Sequence, residues 1–253
     1  MAIKCIQFLF YSNLLLAVSS FSFIYAWNKD EFHGMLYALF VSLGVLLVYN
    51  FDSIRQFNLG INSEIKRNWF LKNILINKLI VLFTSICFLF LVILHPVFSL
   101  AIVSKFSFVI GFYFYYTFLN GRKIPMAKMW LIASSWAFVV AINFYFSDFL
   151  KLLILFLSLA IFSDCKDVNY DENQLKTIPQ MVGIYSSKWV GILMYLCFIV
   201  LEFYRSNLNA MGFGFLSLIV VYIFLFHMKV IEKKSISLTD STLIVLGIAL
   251  LFN

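Results

Sequence analysis

Long apolar runs separated by short polar clusters dominate the chain. Many of these runs are about 20 residues long, the length at which a helix crosses the roughly 30 Å hydrocarbon core of a bilayer. The pattern predicts an all-α, polytopic membrane protein of about nine transmembrane helices. We expect residues 1–253 to form a single transmembrane helical domain. The expected spans are roughly 5–26, 33–50, 73–94, 97–118, 128–147, 149–163, 186–204, 209–229 and 240–253.

The amino-acid composition excludes most classes of soluble protein. The chain is 63% hydrophobic and 12% charged, whereas a soluble domain is about a quarter charged. The excess of basic residues that gives the net charge of +7 lies in small clusters of Lys and Arg between the spans. We therefore expect membrane lipids, and no nucleic acid, as partners. The run after Lys4 resembles a secretory signal, but it continues to Trp27 and therefore predicts a first transmembrane helix.

Basic residues alternate between the two sides of the predicted bundle. Lys29, Lys151 and Arg205 fall in one set of connections, Lys105 lies inside the fourth span, and every other Lys and Arg falls in the opposite set. Because cytoplasmic loops carry the excess of Lys and Arg, we expect a cytoplasmic N-terminus, with a bacterial inner membrane as the location. Two long connections, about 50–72 and 164–185, lie on the same side, and long loops often carry function.

A dense group of carboxylates follows the sixth span. Asp164, Asp167 and Asp171 are spaced i, i+3 and i+7, so a continuing helix would confine them to an arc of about 60° on one face. Carboxylates so close together repel one another and favour a bound cation. Oxygen ligands suit Mg²⁺ or Ca²⁺. The nearby Lys166, Lys176 and Lys188 suit a polyanion bridged by that metal. The alternative is a solvated acidic loop.

The residues after this cluster extend the pattern to D-x-x-D-x-x-x-D, a basic residue and T-[IL]-P. It resembles the second motif of the UbiA superfamily of intramembrane prenyltransferases, a family with nine helices and acidic motifs after helices two and six. Residues 124–128, which read I-P-M-A-K, are similar to that family's Y-P-x-x-K segment, with Ile in place of Tyr. The matching residues of the second motif are Asp164, Asp167, Asp171, Lys176, Thr177 and Pro179, followed by Gly183.

The family's first motif, N-D-x-x-D-x-x-x-D, should follow the second span, and the sequence departs from it there. Asn50 matches the first position, but the three aspartate positions hold other residues. Asp52 is the carboxylate in this stretch, about 200° around a regular helix from Asn50. An ion pair with Arg55 is its alternative role.

The resemblance implies Mg²⁺-dependent transfer of a prenyl group from a polyprenyl diphosphate to an aromatic or other lipophilic acceptor within the membrane, with quinone precursors as the default acceptors. The carboxylates that the resemblance implies for catalysis and metal binding are Asp164, Asp167 and Asp171. Asn50 and Asp52 would be further ligands on the metal side of the site. The residues that would bind the diphosphate are Lys128, Lys176, Arg122 and Lys123. For Lys128, Arg122 and Lys123 the alternative is an anchor at the cytoplasmic membrane surface.

Other functions remain open from sequence. The departure in the first motif favours a non-catalytic UbiA-like relative that binds an isoprenoid lipid or a membrane partner. A phosphatidyltransferase is disfavoured because no D-G-x-x-A-R pattern occurs. A transporter is disfavoured because Pro96, Pro125 and Pro179 all lie in predicted connections, not at mid-membrane breaks.

Overall fold

The structure is a computed structural model that describes residues 8–9, 11–29, 31, 33–58, 64–94, 105–107, 109–112, 126–140, 143, 145–168, 177–205 and 245–246. Throughout these ranges the regular structure is helical and no strand occurs, as the apolar pattern predicts. The helices are α1 (Leu14–Trp27), α2 (Gly34–Asn58), α3 (Glu64–Leu94), α4 (Ala127–Val140), α5 (Phe146–Asp167), α6 (Ile178–Val182) and α7 (Ile184–Arg205).

Four of the described helices are long and apolar enough to cross a membrane. The crossing segments are Gly34–Arg55, Asn68–Ile93, Phe146–Cys165 and Ile184–Glu202. Helices α1 and α4 are apolar but shorter, at 14 residues each. The predicted spans 209–229 and 240–253 lie outside the described residues, apart from the helical residues 245–246.

The chain divides into two compact units, of which the first is Met1–Phe98 with Lys234–Leu251. In this unit α1 packs against α2, and α2 packs against α3. The turn between α1 and α2 requires Gly34, because a Cβ there would overlap the carbonyl oxygen of Asn28. Stacked rings of Phe40 and Phe88, with centroids 4.5 Å apart, join α2 to α3.

Much of the predicted connection 50–72 is helical. Helix α2 continues to Asn58, and α3 begins at Glu64, well before the predicted start at residue 73. Asn73 interrupts α3 with φ −126° and ψ 17°, and its side-chain amide donates to the carbonyl oxygen of Trp69 at 2.9 Å. Polar residues therefore continue both helices beyond their apolar parts, because the backbone hydrogen bonds of a helix do not depend on hydropathy.

The second unit is Ser99–Lys233 with Phe252–Asn253. Helix α5 packs against both α4 and α7, and the short α6 contacts α5 and α7. Gly191 permits the close approach of α7 to α5, because a Cβ there would lie 3.0 Å from the ring of Phe162. The hydroxyl of Ser158 on α5 donates to the carbonyl oxygen of Gly191 at 2.8 Å. Both neighbours run antiparallel to α5, so the starts of α4 and α7 lie beside its end.

Candidate functional site

An ion pair joins the start of α4 to the end of α5. The Nζ atom of Lys128 lies 3.1 Å from Oδ1 of Asp164. The span was predicted to end at residue 163, but helix α5 ends at Asp167. It therefore includes the first two aspartates of the acidic cluster. The Asp164 side chain is 5% exposed and that of Lys128 is 26% exposed, so the carboxylate is buried and the ammonium reaches the edge of the unit.

An ion pair whose carboxylate is buried is weak evidence for a purely stabilising role. Removing two charges from water costs several kcal/mol for each ion, and their attraction offsets that cost only in favourable geometry. Charged side chains within apolar helices are correspondingly rare and usually mark a functional interior. The sequence predicts roles for both residues, but not that they contact each other.

A second lysine lies beside the end of α5. Lys188, in the second turn of α7, is 8% exposed. Both Lys188 and Asp164 are close enough to the Cys165 thiol to act on it electrostatically. The Sγ atom of Cys165 is 4.0 Å from the carbonyl oxygen of Ile184, which brings the start of α7 against the end of α5. The sequence predicts that Lys188, with Lys166 and Lys176, suits a polyanion near the acidic cluster, but it does not predict that Lys188 is buried beside α5.

The T-I-P segment forms the start of α6. Thr177 precedes this helix, and its backbone N–H donates to Oε1 of Gln180 at 3.1 Å, as in a capping box. Pro179 lies in the first turn, where its missing N–H costs no hydrogen bond. Gly183, with φ 86°, then turns the chain from α6 into α7. Part of the motif that resembles the prenyltransferases thus orients the helix that carries Lys188.

Several predicted site residues cannot be located. Asp171, Lys176, Arg122 and Lys123 lie outside the described residues. The backbone of Asp167 belongs to the last turn of α5, but its side chain is not described. Within the described ranges, no group of three His, Cys, Asp or Glu side chains is arranged to hold a metal ion.

The residues predicted from the first motif belong to the first unit. Asn50 is fully buried, and its Nδ2 atom donates to the carbonyl oxygens of Ser12 and Leu46, both at 2.9 Å. Its Oδ1 atom accepts from Nδ2 of Asn13 at 3.2 Å. The side-chain amide therefore joins α2 to the segment before α1.

Asp52 makes the local ion pair that its position on the helix suggests. Its Oδ1 atom lies 3.6 Å from Nη1 of Arg55, one turn further along α2. Both side chains are partly exposed, at 28% and 25%. Pairs of this kind contribute only a few tenths of a kcal/mol to helix stability, so the contact gives Asp52 a local role.

A second group of buried charges lies at the opposite end of α5. Nζ of Lys151 is 2.7 Å from Oε2 of Glu202 on α7 and 3.4 Å from Oδ1 of Asp148. Lys151 and Asp164 are thirteen positions apart, which corresponds to about 20 Å along a helix. Sequence reasoning missed this group. The i+3 spacing of Asp148 and Lys151 was the one indication of this group in the local sequence, because Glu202 lies 51 positions from Lys151.

The composition and the four long apolar helices found among the described residues are compatible with an integral membrane protein. Comparison with known protein families, curated proteins and solved structures finds no match to the chain.

Proposed function

We propose that this chain is a multi-pass protein of the bacterial inner membrane that transfers a prenyl group from a polyprenyl diphosphate to a lipophilic acceptor, with Mg²⁺ as cofactor. In this proposal about nine helices form a UbiA-like bundle whose active-site end faces the cytoplasm. The observation that carries the proposal is the ion pair between Lys128 and the buried carboxylate of Asp164 at the end of an apolar helical unit.

The chemistry of prenyl transfer needs the features that this end of the unit combines. The diphosphate leaves with negative charge, which nearby ammonium groups stabilise. The allylic cation that remains must be protected from water until the acceptor reaches it, and an apolar helical interior excludes water. Lys128 and Lys188 supply positive charge beside α5, whose buried face is apolar.

The described donor that fits a Mg²⁺ ion at this end of α5 is the carboxylate of Asp164. The backbone of Asp167 lies about one helical turn later, at a position on the same side of the helix. Bound Mg²⁺ would neutralise the diphosphate, and Asp164 and Asp167 are the residues that would hold it. Lys128 already provides a cation to Asp164, so the lysine and the metal would share one carboxylate.

The test is a transfer assay on the full-length protein in lipid nanodiscs. Radiolabelled polyprenyl diphosphate, Mg²⁺ and a bacterial lipid extract as acceptor source should yield a labelled, extractable product. Asp164→Asn should abolish the product. Asp148→Asn is the matched control, because Asp148 is also a mostly buried aspartate of α5 beside a lysine, at the other end of the helix. Equal product from Asp164→Asn and wild type would contradict the proposal.

A second candidate is a non-catalytic relative that binds an isoprenoid lipid or a membrane partner. The contacts of Asn50 and Asp52 favour it, because both side chains have partners within the first unit. This candidate predicts binding of polyprenyl diphosphate without turnover. Mass spectrometry of lipids retained by the purified protein would distinguish the two, since a stably bound isoprenoid without product formation fits the second candidate alone.

A further inference from the structure

Helix α3 exposes a long apolar side. Of the four crossing segments found among the described residues, Asn68–Ile93 has the smallest buried share. Phe70, Asn77 and Thr84 are buried and recur at every seventh position, so a narrow line of α3 packs against α2. The large apolar side chains that remain exposed on α3 include Leu71, Leu75, Leu79, Leu82, Phe83 and Ile86. In a bilayer, a helix side of this kind contacts lipid.

Two lysines lie on this exposed side of α3. Lys72 and Lys78 are both exposed, and Leu75, midway between them in sequence, is 68% exposed. A spacing of i, i+3 and i+6 confines three residues to an arc of about 120° on a helix. All three side chains are exposed although Asn73 interrupts the helix between Lys72 and Leu75. An apolar strip is therefore flanked by two positive charges.

The length of the segment indicates the depth of these lysines. Its 26 residues extend about 39 Å, whereas the hydrocarbon core is about 30 Å thick. Counted back from Ile93, the hydrocarbon begins near Asn73, so Lys72 lies at the level of the lipid headgroups. Lys78 lies about 9 Å further along the helix axis. Because helical side chains point toward the N-terminus of their helix, its ammonium can reach back to the same level.

An aromatic cluster lies at the same end of α3. The ring of Trp69 lies beside those of Phe8 and Tyr11, with centroids 6.3 Å and 5.3 Å away. Trp and Tyr are enriched at the boundary between hydrocarbon and water. The cluster therefore supports a headgroup level close to Lys72.

We propose that the exposed side of α3 binds an anionic phospholipid, with the lipid phosphate between Lys72 and Lys78 and an acyl chain along Leu75, Leu79 and Leu82. Charge complementarity selects this occupant, because lysines beside a membrane helix attract anionic headgroups. A zwitterionic headgroup carries its own cation and gains less from the two ammonium groups. The inference goes beyond the proposed function, since it concerns the first unit and holds whether or not the protein transfers a prenyl group.

The experiment counts the lipids that the protein retains. Full-length protein is released from nanodiscs that contain equal amounts of phosphatidylglycerol and phosphatidylcholine, and native mass spectrometry records each lipid class. Wild type should retain phosphatidylglycerol in preference. Lys72→Gln and Lys78→Gln should each weaken that retention about fivefold, and the double variant more than tenfold. Lys29→Gln is the matched control, because it removes the same charge from an exposed lysine beyond the end of α1.

Two further measurements separate charge from general packing. The double variant Lys72→Arg and Lys78→Arg should keep the preference, because both positive charges remain. Raised sodium chloride should weaken it in wild type, because these charges are exposed to solvent ions. Circular dichroism of each variant should match that of wild type, since neither lysine is buried.

Three outcomes would overturn the inference. Equal retention of the two lipid classes by wild type would mean that bulk lipid covers α3. Unchanged retention of phosphatidylglycerol in the double Gln variant would place the anionic lipid elsewhere. A dimer that carries no preferred lipid and dissociates in Leu75→Glu would identify a second copy of the chain as the occupant.

Discussion

The ion pair between Lys128 and Asp164 makes an asymmetric prediction about stability. At a separation of 3.1 Å and an effective dielectric constant of about 20, the two charges attract each other by about 5 kcal/mol before the cost of their desolvation. That desolvation cost offsets much of the attraction. The two single substitutions should therefore differ according to how easily the remaining charge reaches water.

Lys128→Met removes the ammonium that pairs with Asp164, whose side chain is 5% exposed, and should lower the free energy of unfolding by about 3 to 5 kcal/mol. Asp164→Leu leaves an ammonium whose side chain is already 26% exposed and can turn outward, so the loss should be smaller, at about 1 to 2 kcal/mol. The double variant, with both charges replaced by apolar side chains, should be close to wild type.

The assay is reversible unfolding of the full-length protein in mixed micelles, followed by circular dichroism as the fraction of denaturing detergent rises. The four proteins form a double-mutant cycle, and the coupling between the two positions should exceed about 2 kcal/mol. Equal losses from the two single substitutions, or a double variant whose loss equals their sum, would refute the reasoning that Asp164 depends on Lys128 for its charge partner.

Three further predictions concern the packing that holds each unit. Gly34→Ala should prevent the α1–α2 turn from forming and reduce the yield of folded protein, whereas Gly111→Ala, with open space around it, should not. Asn50→Leu removes three hydrogen bonds from a fully buried position and should destabilise the protein by about 1 to 3 kcal/mol, measured as a lower midpoint of unfolding. Gly191→Ala forces the ring of Phe162 to move and should cost about 1 to 3 kcal/mol, which Phe162→Leu should partly restore.

The apolar pattern predicted the existence of the long helices better than their ends. The span predicted at residues 149–163 corresponds to α5, which extends from Phe146 to Asp167. Asp164 and Asp167 made the end of the helix resemble a polar connection. The sequence could not show that a lysine from α4 pairs with Asp164, and this tertiary contact is what makes a carboxylate compatible with a buried helix end.

For the site as well, the sequence indicated individual residues but not the contacts between helices. Lys128 and Asp164 were both selected from motif positions, with roles toward diphosphate and metal, yet their mutual contact depends on how α4 packs on α5. Glu202 and Lys151 were outside the predicted site because the residues are 51 positions apart. Lys188 was among the lysines expected to suit a polyanion, and its burial became evident only from the fold. Local sequence patterns indicate helices and their faces, whereas ion pairs between residues of different helices can be identified only once the fold is known.

The amount of labelled prenyl product formed by Asp164→Asn, relative to Asp148→Asn under identical conditions, tests the central claim most directly. The account predicts that the Asp148 variant keeps most of the wild-type rate and that the Asp164 variant loses roughly 100-fold or more, as expected when a group that stabilises charge in the transition state is removed. Similar rates in the two variants, or no product from wild-type protein supplied with Mg²⁺ and polyprenyl diphosphate, would contradict it.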